Sequence, residues 1–242
     1  MSSSSFTVQN GHEFQRDIWE KEHFAPSMFP FLDSHVPSPG VVQFWDWMTS
    51  AHLAPPLTGL EICCGKGRNA IWLAGRGCKM FGFDYSEVAI SEAIRRQLPL
   101  SLPEKIDFSI HDAVQRWPYG DHQFDFVIDC FGSSDVESLA GRRHILDEAL
   151  RVLKPSGLFH IQIDSPELGF FAERYREAPG DEPGTLLFPN GKVEAVLTES
   201  ELATWRHPLR LVEIRREVET TLEICGQVAP YKYYWIVARA PN

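Results

Sequence analysis

The feature that most constrains this chain is an alternation, from about residue 57 to residue 163, of short apolar runs with longer runs patterned for helix. Leu57–Cys63, Cys78–Phe83, Ile106–Ile110, Phe124–Cys130 and Leu158–Ile163 are the apolar runs. Their length and near-continuous apolar character predict strands buried on both faces. Between them, Arg68–Arg76 reads as a helix closed by Gly77, and Ser86 is placed to cap a helix carrying Ile90 and Ile94. Glu137–Leu153 repeats its apolar residues at helical spacing until Lys154-Pro155 stops it. Strands separated by helices imply a parallel sheet with helices on both faces and right-handed crossovers.

Both ends of the chain depart from this rhythm. Residues 1–56 read as an appended cover segment. It holds a short helix at Gln15–Glu22, a Pro-interrupted stretch from Pro26 to Pro39, and a helix from Gly40 to about Leu53. Residues 57–242 form the main domain, with an insert at about 165–206. Within that insert, Thr185–Leu197 reads as a hairpin around Pro189-Asn190-Gly191, and Thr198 with Glu201 has capping-box spacing. Arg210–Thr221 and Tyr231–Ala240 are strand-like with no helix between them, so they are expected to pair antiparallel or to lie on separate edges.

Composition removes several function classes. A net charge of −10 argues against a phosphate backbone as partner, since that needs clustered Lys and Arg. No run approaches the roughly 18 apolar residues of a bilayer span, and Met1–Ser5 lacks the charged-then-apolar order of a signal peptide. Cys63, Cys64, Cys78, Cys130 and Cys225 are odd in number and contain no C-x-x-C pair. They fit reduced thiols in a cytoplasmic protein, with no metal site.

The chemistry concentrates where the first strand ends, in Leu60-Glu61-Ile62-Cys63-Cys64-Gly65-Lys66-Gly67-Arg68-Asn69. A glycine turn at the carboxyl edge of an open parallel sheet is a ligand-binding position. Gly65-Lys66-Gly67-Arg68-Asn69-Ala70 fits the dinucleotide fingerprint, with Asp84 placed for ribose hydroxyls. An adenosylmethionine site is the other reading. Glu61 precedes the glycines, a poor place for a charge beside a pyrophosphate. Asp112 follows the third strand, where a carboxylate can accept from an adenine amino group.

Glu61-x-Cys63-x-Gly65-x-Gly67 resembles the first motif of class I S-adenosylmethionine-dependent methyltransferases, an acid followed by alternating glycines. Asp84-Tyr85-Ser86, Asp112-Ala113, Phe124–Asp129 and Leu150–Leu158 extend the resemblance in order across residues 57–165. It implies a Rossmann-like, mostly parallel seven-stranded sheet with an antiparallel C-terminal strand pair. The Gly-Lys-Gly-Arg-Asn run is similar to the small-molecule branch of the family. Carried over residue by residue, the resemblance implies that Glu61 orients the cofactor's amino group and that Gly65 and Gly67, with Cys63 in the first glycine position, line its methionine and ribose. It further implies Asp84 on the ribose hydroxyls, Tyr85 beside the adenine, Asp112 and Ala113 on the adenine edge, and Asp129 and Cys130 bordering the methyl group. Cys63 is a departure, because any need for a positive φ there would be costly.

Methyl transfer from a sulfonium is an in-line displacement, so alignment and a dry pocket are the protein's main contributions. A base is needed only for an acceptor that arrives protonated; Asp129, His111 and His160 are the candidates. The fourth strand ends in Asp129-Cys130-Phe131-Gly132, unlike the Pro-Pro motif of nucleic-acid amino methylases. The expected acceptor is therefore a small, apolar or aromatic molecule methylated on O, N or S. Its walls would come from aromatics such as Trp19, Phe29, Phe171, Phe188 and Trp205. A catalytically silent cofactor-binding scaffold and an NAD(P)-dependent oxidoreductase are the alternatives, and a monomer or a homodimer is equally compatible.

Overall fold

The computed structural model describes residues 11–53, 55–100, 102, 104–197 and 210–242, with side chains omitted for 210–216. Met1–Ser5, the Thr198/Glu201 pair and Trp205 lie outside the described residues.

The five central runs form parallel strands β1 (Thr58–Ile62), β2 (Lys79–Asp84), β3 (Ile106–Ile110), β4 (Phe124–Cys130) and β5 (Leu153–Leu168). Two long strands, β8 (Arg210–Ile224) and β9 (Gln227–Arg239), complete a seven-stranded sheet of order β3-β2-β1-β4-β5-β9-β8. β9 runs antiparallel to both β5 and β8. The strand order reverses between β1 and β4, which opens a crevice at the carboxyl ends of those strands. A separate hairpin, β6 (Thr185–Leu187) with β7 (Val193–Ala195), turns at the predicted Pro189-Asn190-Gly191, and Gly191 takes φ +85°.

Strand alternation divides the core into two layers. Phe126 and Ile128 of β4 and Trp235 and Val237 of β9 face α2 (Pro39–Ser50), α3 (Arg68–Ala74) and α4 (Glu87–Gln97). Val127, Tyr234 and Ile236 face α5 (Leu139–Val152) on the opposite side. Ser86 Oγ accepts from Ala89 N at 3.0 Å, the cap predicted for α4. Ile94 departs from its expected inward position: it is 41 % exposed, and α4 buries Ala89, Ile90 and Ala93 instead. Gly77 is left-handed at φ +95° as expected, three residues beyond the end of α3.

The first helix begins earlier than its apolar residues suggested. α1 spans His12–Phe24 and lays Ile18 and Trp19 on the core. It also grips the hairpin: Gln15 donates to Gly191 O at 3.0 Å and accepts from Val193 N at 2.9 Å. α6 (Gly169–Glu177) follows β5 and buries Phe171. No helix among the described residues is long and apolar enough to cross a membrane, and those residues contain no cluster of His, Cys, Asp or Glu suited to a metal ion.

Candidate active site

A cavity of about 540 Å³ opens at the carboxyl edge of the sheet. That volume lies in the range of roughly 300–1,000 Å³ typical of small-molecule sites. Glu61, Cys63, Gly65, Asp84, Tyr85, Asp112, Ala113 and Cys130 all line it. Four other residues singled out from the sequence do not: Gly67, Asp129, His111 and His160 are absent from its wall.

The turn after β1 shows why glycine is needed there. Gly65 has φ +51° and Gly67 has φ +76°, both in the left-handed region that side chains resist. Gly65 keeps the backbone bare at the cavity. Gly67 has a packing task as the N-cap of α3, where an added Cβ would stand 2.6 Å from Phe108 Cζ. Cys63 itself takes φ +47°, so the strain anticipated for a non-glycine residue at that position is present. Its side chain fits because residue 132 has none: a Cβ on Gly132 would lie 2.7 Å from Cys63 Cβ and 2.9 Å from its Sγ.

The three acids are fixed by backbone and helix termini. Glu61 accepts from Asn69 Nδ2 at 2.7 Å and from Ala70 N at 3.0 Å, tying β1 to the first turn of α3. Burial raises its carboxyl to about 7 against the pull of those hydrogen bonds. Asp84 accepts from Gly65 N and from Ser86 N, each at 2.9 Å. Each of its oxygens thus uses one acceptor site and keeps another toward the cavity. Asp112 accepts from Val114 N at 3.0 Å and meets His12 Nε2 at 2.5 Å. His12 Nδ1 reaches Glu137 at 3.0 Å, and the bond to Asp112, then that to Glu137, lifts the imidazole to about 10. Both ring nitrogens therefore donate, and α1 is pinned to the adenine-side acid proposed from the sequence.

The three candidate bases have other partners. His160 is fully buried and stacks on Phe44 at 4.7 Å. It donates through Nδ1 to Ile236 O at 3.0 Å, and its Nε2 meets the Gln162 amide at 3.2 Å. Burial lowers it to about 3, which keeps it neutral. His111 lies outside the cavity, with Nε2 3.0 Å from Arg116 O. Asp129 is wholly buried; one oxygen accepts from Ser133 N at 3.0 Å and the other has no hydrogen-bond partner among the described residues. Its carboxyl is raised by burial to about 6.

Several wall residues were not singled out from the sequence. His12, Gln15 and His23 join the expected Trp19 in lining the cavity from one face of α1, at the three- and four-residue spacing that a helix brings into line. That stripe was visible once the helix start was known. Gln162 accepts from Ser38 Oγ at 3.2 Å and donates toward Cys130 Sγ at 3.2 Å. Asp135, Asp164 and Glu194 meet only in three dimensions, from the turn after β4, from β5 and from β7.

Comparison with known proteins agrees with this fold. Residues 60–157, from the middle of β1 through the turn inside β5, match the methyltransferase domain family. That stretch of the chain is thus similar to a methyltransferase domain. The demethylmenaquinone methyltransferase of Oceanobacillus iheyensis is 29 % identical over 134 residues, 54 % of either chain. The chain thus spans about half the length of the curated relatives it matches. A methyltransferase of Methanosarcina mazei superposes with a TM-score of 0.67 at 22 % identity, covering 80 % of this chain and 97 % of that one. The N-methyltransferase NodS of Bradyrhizobium japonicum, solved with S-adenosyl-L-homocysteine, superposes with a TM-score of 0.62 at 17 % identity, covering 92 % and 98 %. At such identities the superpositions speak for the fold.

Proposed function

We propose that this chain transfers the methyl group of S-adenosylmethionine to an oxygen, nitrogen or sulfur atom of a small acceptor. The observation that carries the reading is the convergence of Glu61, Asp84 and Asp112 on one cavity beside a bare, left-handed Gly65. A carboxylate at Asp84 with an unused acceptor site on each oxygen suits a ribose diol. Gly65, without a Cβ, leaves room for close approach of a ligand to the turn. Asp112 with Ala113 would take the adenine edge, and Tyr85 would pack against its face. Glu61 would orient the cofactor's amino group with a carboxyl that Asn69 and Ala70 already hold in place. When bound, the cofactor supplies a methyl group on a sulfonium, and with it the leaving group.

The chain's part is to align and to keep water out. Residues 1–56 and the insert at about 165–206 act as the cover in this reading. Its support is their mutual grip through Gln15 and the stacking of Phe29 on Trp19 at 5.7 Å and against Phe188 at 5.9 Å. His160, neutral and enclosed, works as a prop for Gln162 in the cavity floor and not as a base.

Calorimetric titration with S-adenosylhomocysteine, NAD and NADP tests the reading. Micromolar binding of S-adenosylhomocysteine alone is expected. Binding of a dinucleotide alone would replace the methyltransferase with an oxidoreductase.

A further inference from the structure

One end of the cavity holds a charged group that the roles above leave unused. Asp135, Asp164 and Glu194 reach its wall from separate elements. Lys192, fully buried, places Nζ 2.9 Å from Asp135 and also pairs with Glu194. Asp164 accepts from the Tyr231 hydroxyl at 2.6 Å. Among the described residues of this cluster, three carboxyl groups thus share one ammonium. Burial pushes Asp135 and Glu194 up to about 8 and raises Asp164 as well. Three acids thus crowd one cation, and burial favours a proton on the surplus carboxyls, a proton that a bound cation would displace.

Excess acid alone does not define a ligand, but two independent features narrow it. Phe131, Tyr231 and Tyr233 line the same space; Tyr231 stacks on Tyr233 at 5.4 Å and Phe131 meets Tyr233 edge-on at 5.3 Å. Ring faces beside a carboxylate attract a cation. Trp19, 8 % exposed, also lines the cavity, and its ring lies 4.6 Å from Lys192 Nζ. Its indole N–H has no hydrogen-bond acceptor among the described residues. A buried donor ordinarily finds a partner, and a ligand carrying an acceptor atom near a cationic nitrogen would supply it.

We propose that the methyl acceptor is a primary or secondary amine, bound as its ammonium ion between the Asp135, Asp164 and Glu194 carboxylates and the Tyr231–Tyr233 rings. The proposal rests on the methyltransferase reading above. The ammonium passes one proton to a carboxylate of the cluster and so frees its lone pair. That pair forms the new N–C bond while the methyl C–S bond breaks, and the departing thioether keeps the C–S electrons. The methylated nitrogen leaves as an ammonium, so no oxidant or reductant enters.

The test is calorimetry on the full chain saturated with S-adenosylhomocysteine. The probes form a ladder of amines from methylamine to tryptamine, each paired with the alcohol of the same skeleton. At least one amine is expected to bind about tenfold or more tighter than its alcohol. In Asp164→Asn/Glu194→Gln, and to a lesser degree in Glu194→Gln alone, that preference should fall to roughly threefold or less while affinity for S-adenosylhomocysteine is retained. Absence of any amine preference across the ladder, or a preference that survives the double substitution, overturns the proposal. Failure of S-adenosylhomocysteine to bind the unaltered chain would instead defeat the methyltransferase reading. The ladder, run without it, would still decide the amine question.

Discussion

Gly132→Ala is the substitution whose outcome the geometry specifies most narrowly. Gly132 is not among the positive-φ glycines, so alanine incurs no backbone strain there. The entire cost is steric: the new methyl would lie 2.7 Å from Cys63 Cβ, 2.9 Å from Cys63 Sγ and 3.1 Å from Asp129 Oδ1. Overpacking of this kind costs about 1–3 kcal/mol. In a chain of this size each kcal/mol moves the melting temperature by roughly 2–4 °C. Cys63→Gly removes the obstacle and also relieves a left-handed non-glycine residue, worth about 1–2 kcal/mol. Against that stands the loss of a small, partly buried side chain, so Cys63→Gly alone should be close to neutral. In the Cys63→Gly background, Gly132→Ala should then cost little, and the double-mutant cycle should show a coupling of at least about 1 kcal/mol. Urea unfolding of the four proteins measures it. Equal costs of Gly132→Ala in both backgrounds would refute the idea that Cys63 occupies the space left by Gly132.

Other consequences can be checked in the same way. Asp84→Asn, read by calorimetry, should weaken S-adenosylhomocysteine about 10- to 100-fold, the loss of one to two charge-assisted hydrogen bonds; unchanged affinity would move the ribose elsewhere. The raised His12 group contributes stability that is complete below its unfolded value of 6.5 and is lost as pH climbs through about 10. His12 is partly exposed, so solvent screening reduces its contribution to about 1–2 kcal/mol. The melting gap between the unaltered chain and His12→Ala should be widest near pH 6 and close toward pH 10.5; a pH-independent gap would contradict the clamp on Asp112 and Glu137. His160 runs the opposite way: held neutral down to about 3, it makes the fold lose stability as pH falls below 6.5. His160→Gln should flatten that acid limb, by up to about 1.4 kcal/mol per pH unit; an unaltered limb would mean the imidazole is hydrated. Lys192→Met, which strands the Asp135 and Glu194 carboxyls, should cost roughly 3–5 kcal/mol in urea unfolding, and a neutral result would show that the pair is not buried.

The parallel core and one side of the site were legible because both are local. Each of β1 to β5 is built around a short, largely apolar run, although β5 (Leu153–Leu168) extends well beyond Leu158–Ile163 at both ends, and Glu61, Gly65, Asp84 and Asp112 sit at or just past the ends of such runs, where topology alone carries them to one edge. What failed to show was what long-range packing decides. His160 looked like a base from its place on a strand, but Phe44 and the backbone of β9 enclose it. Asp129 ends β4 as foreseen, yet its side chain turns into the interior with Ser133 and away from the cavity. Gly67 matched a binding motif and proved to be a packing glycine under Phe108. The apolar residues of α1 mark only its middle and leave His12 outside it, although His12 ties the helix to Asp112 and Glu137 at the site. The Asp135, Asp164, Glu194 and Lys192 cluster draws on a turn, a central strand and a distant hairpin, so no sequence window contains it.

The most direct test is a crystal structure of the chain with S-adenosylhomocysteine. The account predicts the ribose diol on Asp84, the adenine between Tyr85 and Asp112, and the sulfur turned toward Cys130 and the ring of Phe131. An adenosine bound anywhere other than against Asp84 and the Gly65 turn would contradict it.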